Sequence, residues 1–191
     1  WNDDKRYFSV VQRYAGQGQR NVRRGYTGGP GGHHSGTEWN NMGKIQFELL
    51  ERDGRYISVP SGISMLPMIR GRKDAVVIEK IVNKPKRYDL VLYKRGKDLG
   101  VIHRVIKFKN DKYIICGDNC WQLEYVKPEQ IKGIVTEYCR NGKWHKTNNL
   151  LYQIYVHLWV DLLFIKRPIF YIREKIKYKI KIIIATIKPI I

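Results

Sequence analysis

The chain has 191 residues, 43% of them hydrophobic, which is enough for one domain with a core and too apolar for a disordered chain. It carries 36 Lys and Arg against 17 Asp and Glu, a formal net charge of +19, and so points to an anionic neighbour, either nucleic acid or a membrane surface. The three cysteines, Cys116, Cys120 and Cys139, are an odd number, which argues against a disulfide framework. Cys116-x-x-x-Cys120 lacks the second Cys or His pair that would complete a metal site, so the thiols read as reduced and no metal or other cofactor is expected.

Residues 1–41 are rich in Gly, Arg, Asn and Gln, and no run among them has helix or strand periodicity. The chain begins at Trp1, Met42 is its first methionine, and patterned sequence follows at once. Met42 is therefore read as the natural start, residues 1–41 as a disordered, non-native leader, and His33-His34 as incidental.

Residues 42–149 read as one domain of short strands, with no long helix near Ile45–Leu50. The strand-like runs are 56–59, 75–81, 90–93, 101–108, 113–116 and 131–138. Asn110-Asp111 and Asn141-Gly142 between or after them are hairpin signals. Alternation within the runs selects Val76, Ile78, Leu90, Leu92, Ile102, Ile114 and Ile134 as core.

After Asn149 the composition changes. Residues 150–165 are apolar except at Gln153, His157 and Asp161, whose spacing of four makes one polar stripe on a helix. The apolar part is shorter than the roughly 20 residues of a simple spanning helix. Beyond it, Lys166, Arg167, Arg173, Lys175, Lys177, Lys179, Lys181 and Lys188 stand against Glu174 alone, with Phe170, Tyr171, Tyr178 and isoleucines between them. Residues 150–191 therefore read as a basic amphipathic tail lying on an anionic membrane surface. The competing reading is a core-packing helix with a solvated basic end.

Three short stretches carry the chemistry. Ser61-Gly62-Ile63-Ser64-Met65-Leu66-Pro67-Met68 is a turn after a strand, where a hydroxyl can be held exposed. Val101-Ile102-His103-Arg104-Val105 places an ionisable ring in a strand otherwise built for burial, where a histidine is more often a satisfied core residue than a base. Gly117-Asp118-Asn119 follows a strand directly, as turn residues often do. Each alone is common.

Together, Ser-Met-x-Pro, then His-Arg in a strand, then Gly-Asp-Asn, resemble the type I signal peptidases and the related serine peptidases that include self-cleaving regulators of the LexA type. The resemblance runs from about Val59 to Tyr138, and takes in Arg72-Lys73-Asp74-Ala75-Val76-Val77 and Tyr88-Asp89-Leu90-Val91-Leu92 as intermediate strands. It implies a mainly-β fold: a signal-peptidase-like coiled sheet with a C-terminal amphipathic helical appendage. It also implies a serine endopeptidase that cleaves leader or signal peptides.

In that family Ser64 is the nucleophile. Most members place Lys where His103 stands, and His103 fits the His-base subgroup. A lysine base needs its pKa driven down by burial, whereas an imidazole needs a partner to fix its tautomer. Two carboxylates could be that partner: Asp118 of the Gly-Asp-Asn box, or Glu124 six positions later, where the His-type relatives have Asp. The Ser64 amide would give one oxyanion donor. Gly62 stands where some relatives have a second, serine donor, which leaves Ser61 as the nearest hydroxyl.

The implied partners are an extended peptide or protein precursor with small residues before the cut, and an anionic membrane, with no nucleic acid. The implied placement is bacterial, on the cytoplasmic face. The stretch 43–54 is too charged to be the transmembrane helix that signal peptidases carry before the nucleophile box. Two further readings are a LexA-like self-cleaving regulator, which would use Lys as base, and a non-catalytic basic module binding membrane or nucleic acid.

Overall fold

The computed structural model describes residues 46–97 and 99–187. The readings of a leader over 1–41, of Met42 as the start and of His33-His34 lie outside the described residues. A short helix, α1 (residues 46–53), precedes the strands. Phe47 and Leu50, three apart, turn one face inward. Gly54 closes the helix at φ 71°, its N–H reaching the Leu50 carbonyl at 3.1 Å.

The strands are β1 (Arg55–Ser58), β2 (Ala75–Lys80), β3 (Leu90–Arg95), β4 (Leu99–Lys109), β5 (Lys112–Cys116), β6 (Glu124–Val126), β7 (Ile131–Arg140) and β8 (Lys143–Lys146), with a 3-10 turn at Pro128–Gln130. They form one antiparallel sheet in the order β1-β2-β7-β3-β4-β5-β6, with β8 paired to β7. Register shifts at Val77/Ile78, Leu92/Tyr93 and Val105/Lys107 curl it into a half-barrel. The two hairpin turns are left-handed at both central residues: Asn110 and Asp111 at φ 51° and 53°, Asn141 and Gly142 at 52° and 78°. The protein is mainly β with a helical C-terminal part, as the sequence led us to expect.

Curling buries both faces of the central strands. On β3, Leu90 and Leu92 enter one core with Leu50, Val76, Ile78 and Val135, while Val91 and Tyr93 enter a second with Val105, Tyr113, Ile115 and Val126. Ile114 is also buried, whereas Ile102 and Ile134 are only partly so, Ile134 lying opposite Val91 of β3. On β7, Ile131 faces the second core opposite Tyr93, and past the register shift Val135 and Gly133 face the first, opposite Ile78 and Leu92. Gly133 leaves that face without a side chain. A Cβ there would lie 2.7 Å from Ile78 Cγ2 and 3.0 Å from Leu50 Cδ2, so glycine is what lets α1 approach the sheet.

The C-terminal part comprises α2 (Leu150–Asp161) and α3 (Leu163–Ile187). Asn149 caps α2, its side-chain oxygen accepting from Tyr152 N at 2.8 Å. The unit does not end at residue 149. Tyr152 and Val156 belong to the same core as Val76 and Leu90, and Val160 is buried too. The polar stripe lies along the domain edge. Gln153 donates to the Thr147 carbonyl at 2.9 Å, His157 packs on the Tyr88 ring at 4.2 Å, and Asp161 accepts from Arg87 at 2.6 Å and Tyr88 at 3.0 Å.

Arg104 of β4 locks this arrangement. It is wholly buried, and its guanidinium is bidentate to Asp118 at 2.8 and 2.7 Å. It also donates to the Tyr88 carbonyl and to Tyr152 Oη of α2, both at 2.9 Å. A chain ending at Asn149 is therefore expected to lose its cooperative thermal transition, since it removes part of the core and two partners of the buried pair. Arg104→Met, which leaves Asp118 buried and unpaired, is expected to cost about 3–5 kcal/mol in urea denaturation. Adding Asp118→Leu should recover a good part of that loss.

Candidate active site

The Ser64 turn follows β1 and is held from below. Met65, Met68 and Ile69 are buried in the first core, so residues between them cannot drift outward. Asp74 is buried and accepts from Arg70 N at 2.9 Å and from the Arg70 guanidinium at 2.6–3.1 Å. Burial pushes its carboxyl up, but the bonds from Arg70 and the charge of Arg140 hold it below the usual carboxylate range. Arg140 of β7 also donates to the Pro67 and Met68 carbonyls at 2.5 and 2.6 Å. A Cβ at Gly71 would collide with the Gly62 carbonyl, so only glycine there lets the two ends of the turn meet.

Alternation along β4 sends His103 and Arg104 to opposite faces. Arg104 turns to α2, and His103 turns to the second core, where it is 4% exposed. The carboxylate on its ring is Glu124: Glu124 Oε1 lies 2.8 Å from His103 Nδ1. Tyr93 donates to Glu124 Oε2 at 2.7 Å and also lies 3.3 Å from Nδ1. Arg95 donates to Glu124 Oε1, and to Tyr93 Oη at 2.7 Å. Burial raises the Glu124 carboxyl, but the bonds from His103, Arg95 and Tyr93 outweigh it and hold the pKa at about 2. Ionised at neutral pH, Glu124 can only accept, so Nδ1 carries the proton and Nε2 presents its lone pair.

Asp118, the other carboxylate the sequence offered, does not orient His103. Both of its oxygens are on Arg104, and Oδ2 also accepts from Tyr155 of α2 at 3.0 Å. It braces the loop after β5 against the helix. Ser61 is exposed, and among the described residues no hydrogen bond ties its hydroxyl to Ser64 or His103.

Gly117 lets the Ser64 turn and the His103 ring approach one another. A Cβ there would lie 2.7 Å from the Ser64 carbonyl oxygen and 3.0 Å from His103 Nε2, so the ring and the turn meet across a space only glycine leaves open. The next residues fasten the turn. Asn119 N donates to the Ser64 carbonyl at 2.8 Å, and Asn119 Nδ2 donates to the Ile63 carbonyl at 3.1 Å. The Ile63 carbonyl and the Ser64 N–H share one planar trans peptide. Fixing the oxygen thus aims the N–H the opposite way, and among the described residues no acceptor meets it. Among the described residues no hydrogen bond joins Ser64 Oγ to His103. Such bonds often tighten only once substrate closes the site.

Tyr93, Arg95 and the role of Asn119 were not visible in the sequence. Tyr93 and Arg95 look like ordinary strand residues; only their place on the same face of β3 as Val91, which pairs with His103 of β4, reveals them. The loop is further held by the helices. Trp159 Nε1 donates to the Asp118 carbonyl at 2.7 Å, and Arg167 donates to the Trp121 carbonyl at 2.8 Å. Lys166 sits 4.4 Å over the Trp159 ring and donates to its carbonyl; burial pushes its pKa down to about 8. Lys166, Arg167 and Arg173 of the basic tail are thus turned to the domain. The three cysteines are free thiols, with Cys116 and Cys139 buried.

In comparisons with known proteins, no protein-family model matches the chain and no curated protein is significantly similar to it. The class is fixed by structure alone: a mainly-β domain with a C-terminal helical part, bearing a buried His–carboxylate pair beside a pinned serine turn.

Glu124 should leave an acid signature. Its pKa is depressed in the fold, so its contribution to stability is full above the ordinary value of about 4.5 and is lost as pH falls through about 2. Urea denaturation at steps between pH 6 and pH 2 should show wild type losing stability across that window, and Glu124→Gln losing distinctly less. Gly117→Ala should push the loop from His103 and disturb the site while the protein still melts cooperatively, as read from the His103 ring signals in NMR.

Proposed function

We propose that the chain is a serine endopeptidase of the signal-peptidase type, with Ser64 as nucleophile, His103 as general base and Glu124 as the group that orients the base. The observation that carries this reading is the carboxylate 2.8 Å from His103 Nδ1, with Nε2 directed at the Ser64 turn across Gly117. A structural core histidine has no need of an ionised partner held by Tyr93 and Arg95.

His103 Nε2 takes the Ser64 Oγ proton as Oγ attacks a peptide carbonyl carbon, and the carbonyl oxygen becomes an oxyanion. The Ser64 N–H, aimed by Asn119, donates to that oxygen. Collapse breaks the C–N bond, His103 returns the proton to the leaving amine, and an acyl-Ser64 ester remains. Water, deprotonated by the same ring, then releases the acid. Glu124 stays ionised throughout and stabilises the imidazolium. By the resemblance, the substrate is an extended leader peptide with small side chains before the cut.

A Cβ at Gly62 would lie 3.9 Å from Ser64 Oγ and meet little else, so this position can accept the serine that some relatives use as a second donor.

The test is a library of extended peptides, read by mass spectrometry for new termini. Wild type should generate them. Ser64→Ala should lower the rate by about 10⁶-fold, and His103→Ala by nearly as much, because the two act as a unit. Glu124→Gln should lose about 10³–10⁴-fold through the wrong tautomer. His103→Lys should not restore the rate, since Glu124 and Tyr93 would hold an ammonium charged. Gly62→Ser should raise the rate above wild type. Equal cleavage by wild type and the Ser64 and His103 alanine variants would remove this centre.

A further inference from the structure

The outer side of α2 and α3 carries an aliphatic row that the domain leaves uncovered. Leu151, Leu158, Ile165 and Ile172 recur every seven residues, all exposed, each followed three or four residues later by another exposed Leu or Ile, and the row continues to Ile183. Such steps fall on one helix face. The hydrogen-bond ladder crosses the joint between the helices, Leu162 N to Leu158 O at 3.2 Å and Lys166 N to Leu162 O at 3.0 Å, so the row is continuous. Lys175, Lys177 and Lys179 are exposed beside it, and the lone Glu174 is already paired with Lys177 and Arg173. No described helix is long and apolar enough to cross a membrane.

Aliphatic side chains flanked by cations fit an anionic bilayer surface, which receives both at once. A second copy would set one +19 chain against another, and a nucleic acid would leave the aliphatic row in water.

The same helix reaches the catalytic turn. Arg173, next to Ile172 in the row, donates to Asn119 Oδ1 at 2.9 Å and to the Asn119 carbonyl at 3.2 Å. Asn119 in turn holds the Ser64 and Ile63 carbonyls. Trp121, two residues on, packs edge-on against Tyr171 at 5.0 Å. We propose that α2 and α3 lie on an anionic bilayer along this row, and that docking steadies the Ser64 turn through Arg173 and Asn119. The second half of the proposal rests on Ser64 being the nucleophile; the first does not. Arg173 is a positioning residue in this scheme.

The test uses full-length protein and vesicles of phosphatidylcholine with or without phosphatidylglycerol. The protein should float with the anionic vesicles only, and added salt should weaken it. The Ile172→Glu/Ile176→Glu variant should stay at the bottom, and Lys175→Gln/Lys179→Gln should lose about fivefold in affinity for each cation removed. Coupling is read at Cys120, which is partly exposed, with Sγ 4.0 Å from the Ser64 carbonyl oxygen, while the other two thiols are buried. Anionic vesicles should slow its alkylation by a maleimide several-fold in wild type and leave Arg173→Gln unchanged. Flotation with neutral vesicles, flotation of the Ile172/Ile176 variant, or a Cys120 rate indifferent to vesicles overturns the proposal. So does a wild-type dimer that the Ile172/Ile176 variant disperses in sedimentation, which would make the row an interface between copies. None of these readings needs cleavage, so an inactive Ser64 would leave the docking decided on its own.

Discussion

A guanidinium with no exposure to water is tolerable only when every side of it is answered, and Arg104 meets that condition at the centre of the molecule. Asp118 supplies the countercharge on two nitrogens, the Tyr88 carbonyl and the Tyr152 hydroxyl take the third, and the rings of Tyr152 and Tyr155 lie about it. The pair thereby joins a strand, the loop after β5 and the first C-terminal helix. Remove it and the loop has no fixed height above the sheet. That height decides whether Gly117 separates His103 from the Ser64 turn by the width of a missing Cβ.

The two carboxylates near β4 have different work because strand alternation separates them. Asp118 answers Arg104 on the helix side, and Glu124 answers His103 on the other. One is locked by a buried cation. The other is partly exposed and is shared among an imidazole, a phenol and a guanidinium. The second arrangement fixes the orientation of the ring through Nδ1 and leaves Nε2 facing Gly117. β6 begins at Glu124, whose side chain spans from the sheet edge to Nδ1.

The C-terminal helices serve both as wall and as surface. Their inner residues complete the core and grip residues 118–121, while their outer residues stay apolar and basic. A helix whose inner residues share the core of the sheet is packed as part of the same body rather than as a separate tail.

The sequence by itself determined six of the eight strands, both hairpin turns and the order of the Ser64, His103 and Asp118 stretches, because those follow from local periodicity and from residues with particular backbone preferences; the short β6 and β8 carry too few residues to show a period. It also marked α2 as amphipathic. It left Asp118 and Glu124 unresolved as partners of His103, since two acids six residues apart offer the same chemistry and only pairing across β5 and β6 separates them. It did not show that the face of β7 under Leu50 is left bare by Gly133, because only the approach of α1 to the sheet gives that glycine its role. Tyr93, Arg95 and Asn119 emerged only in three dimensions. Each makes at least one contact to a residue more than ten positions away, and no local pattern encodes a contact at that distance.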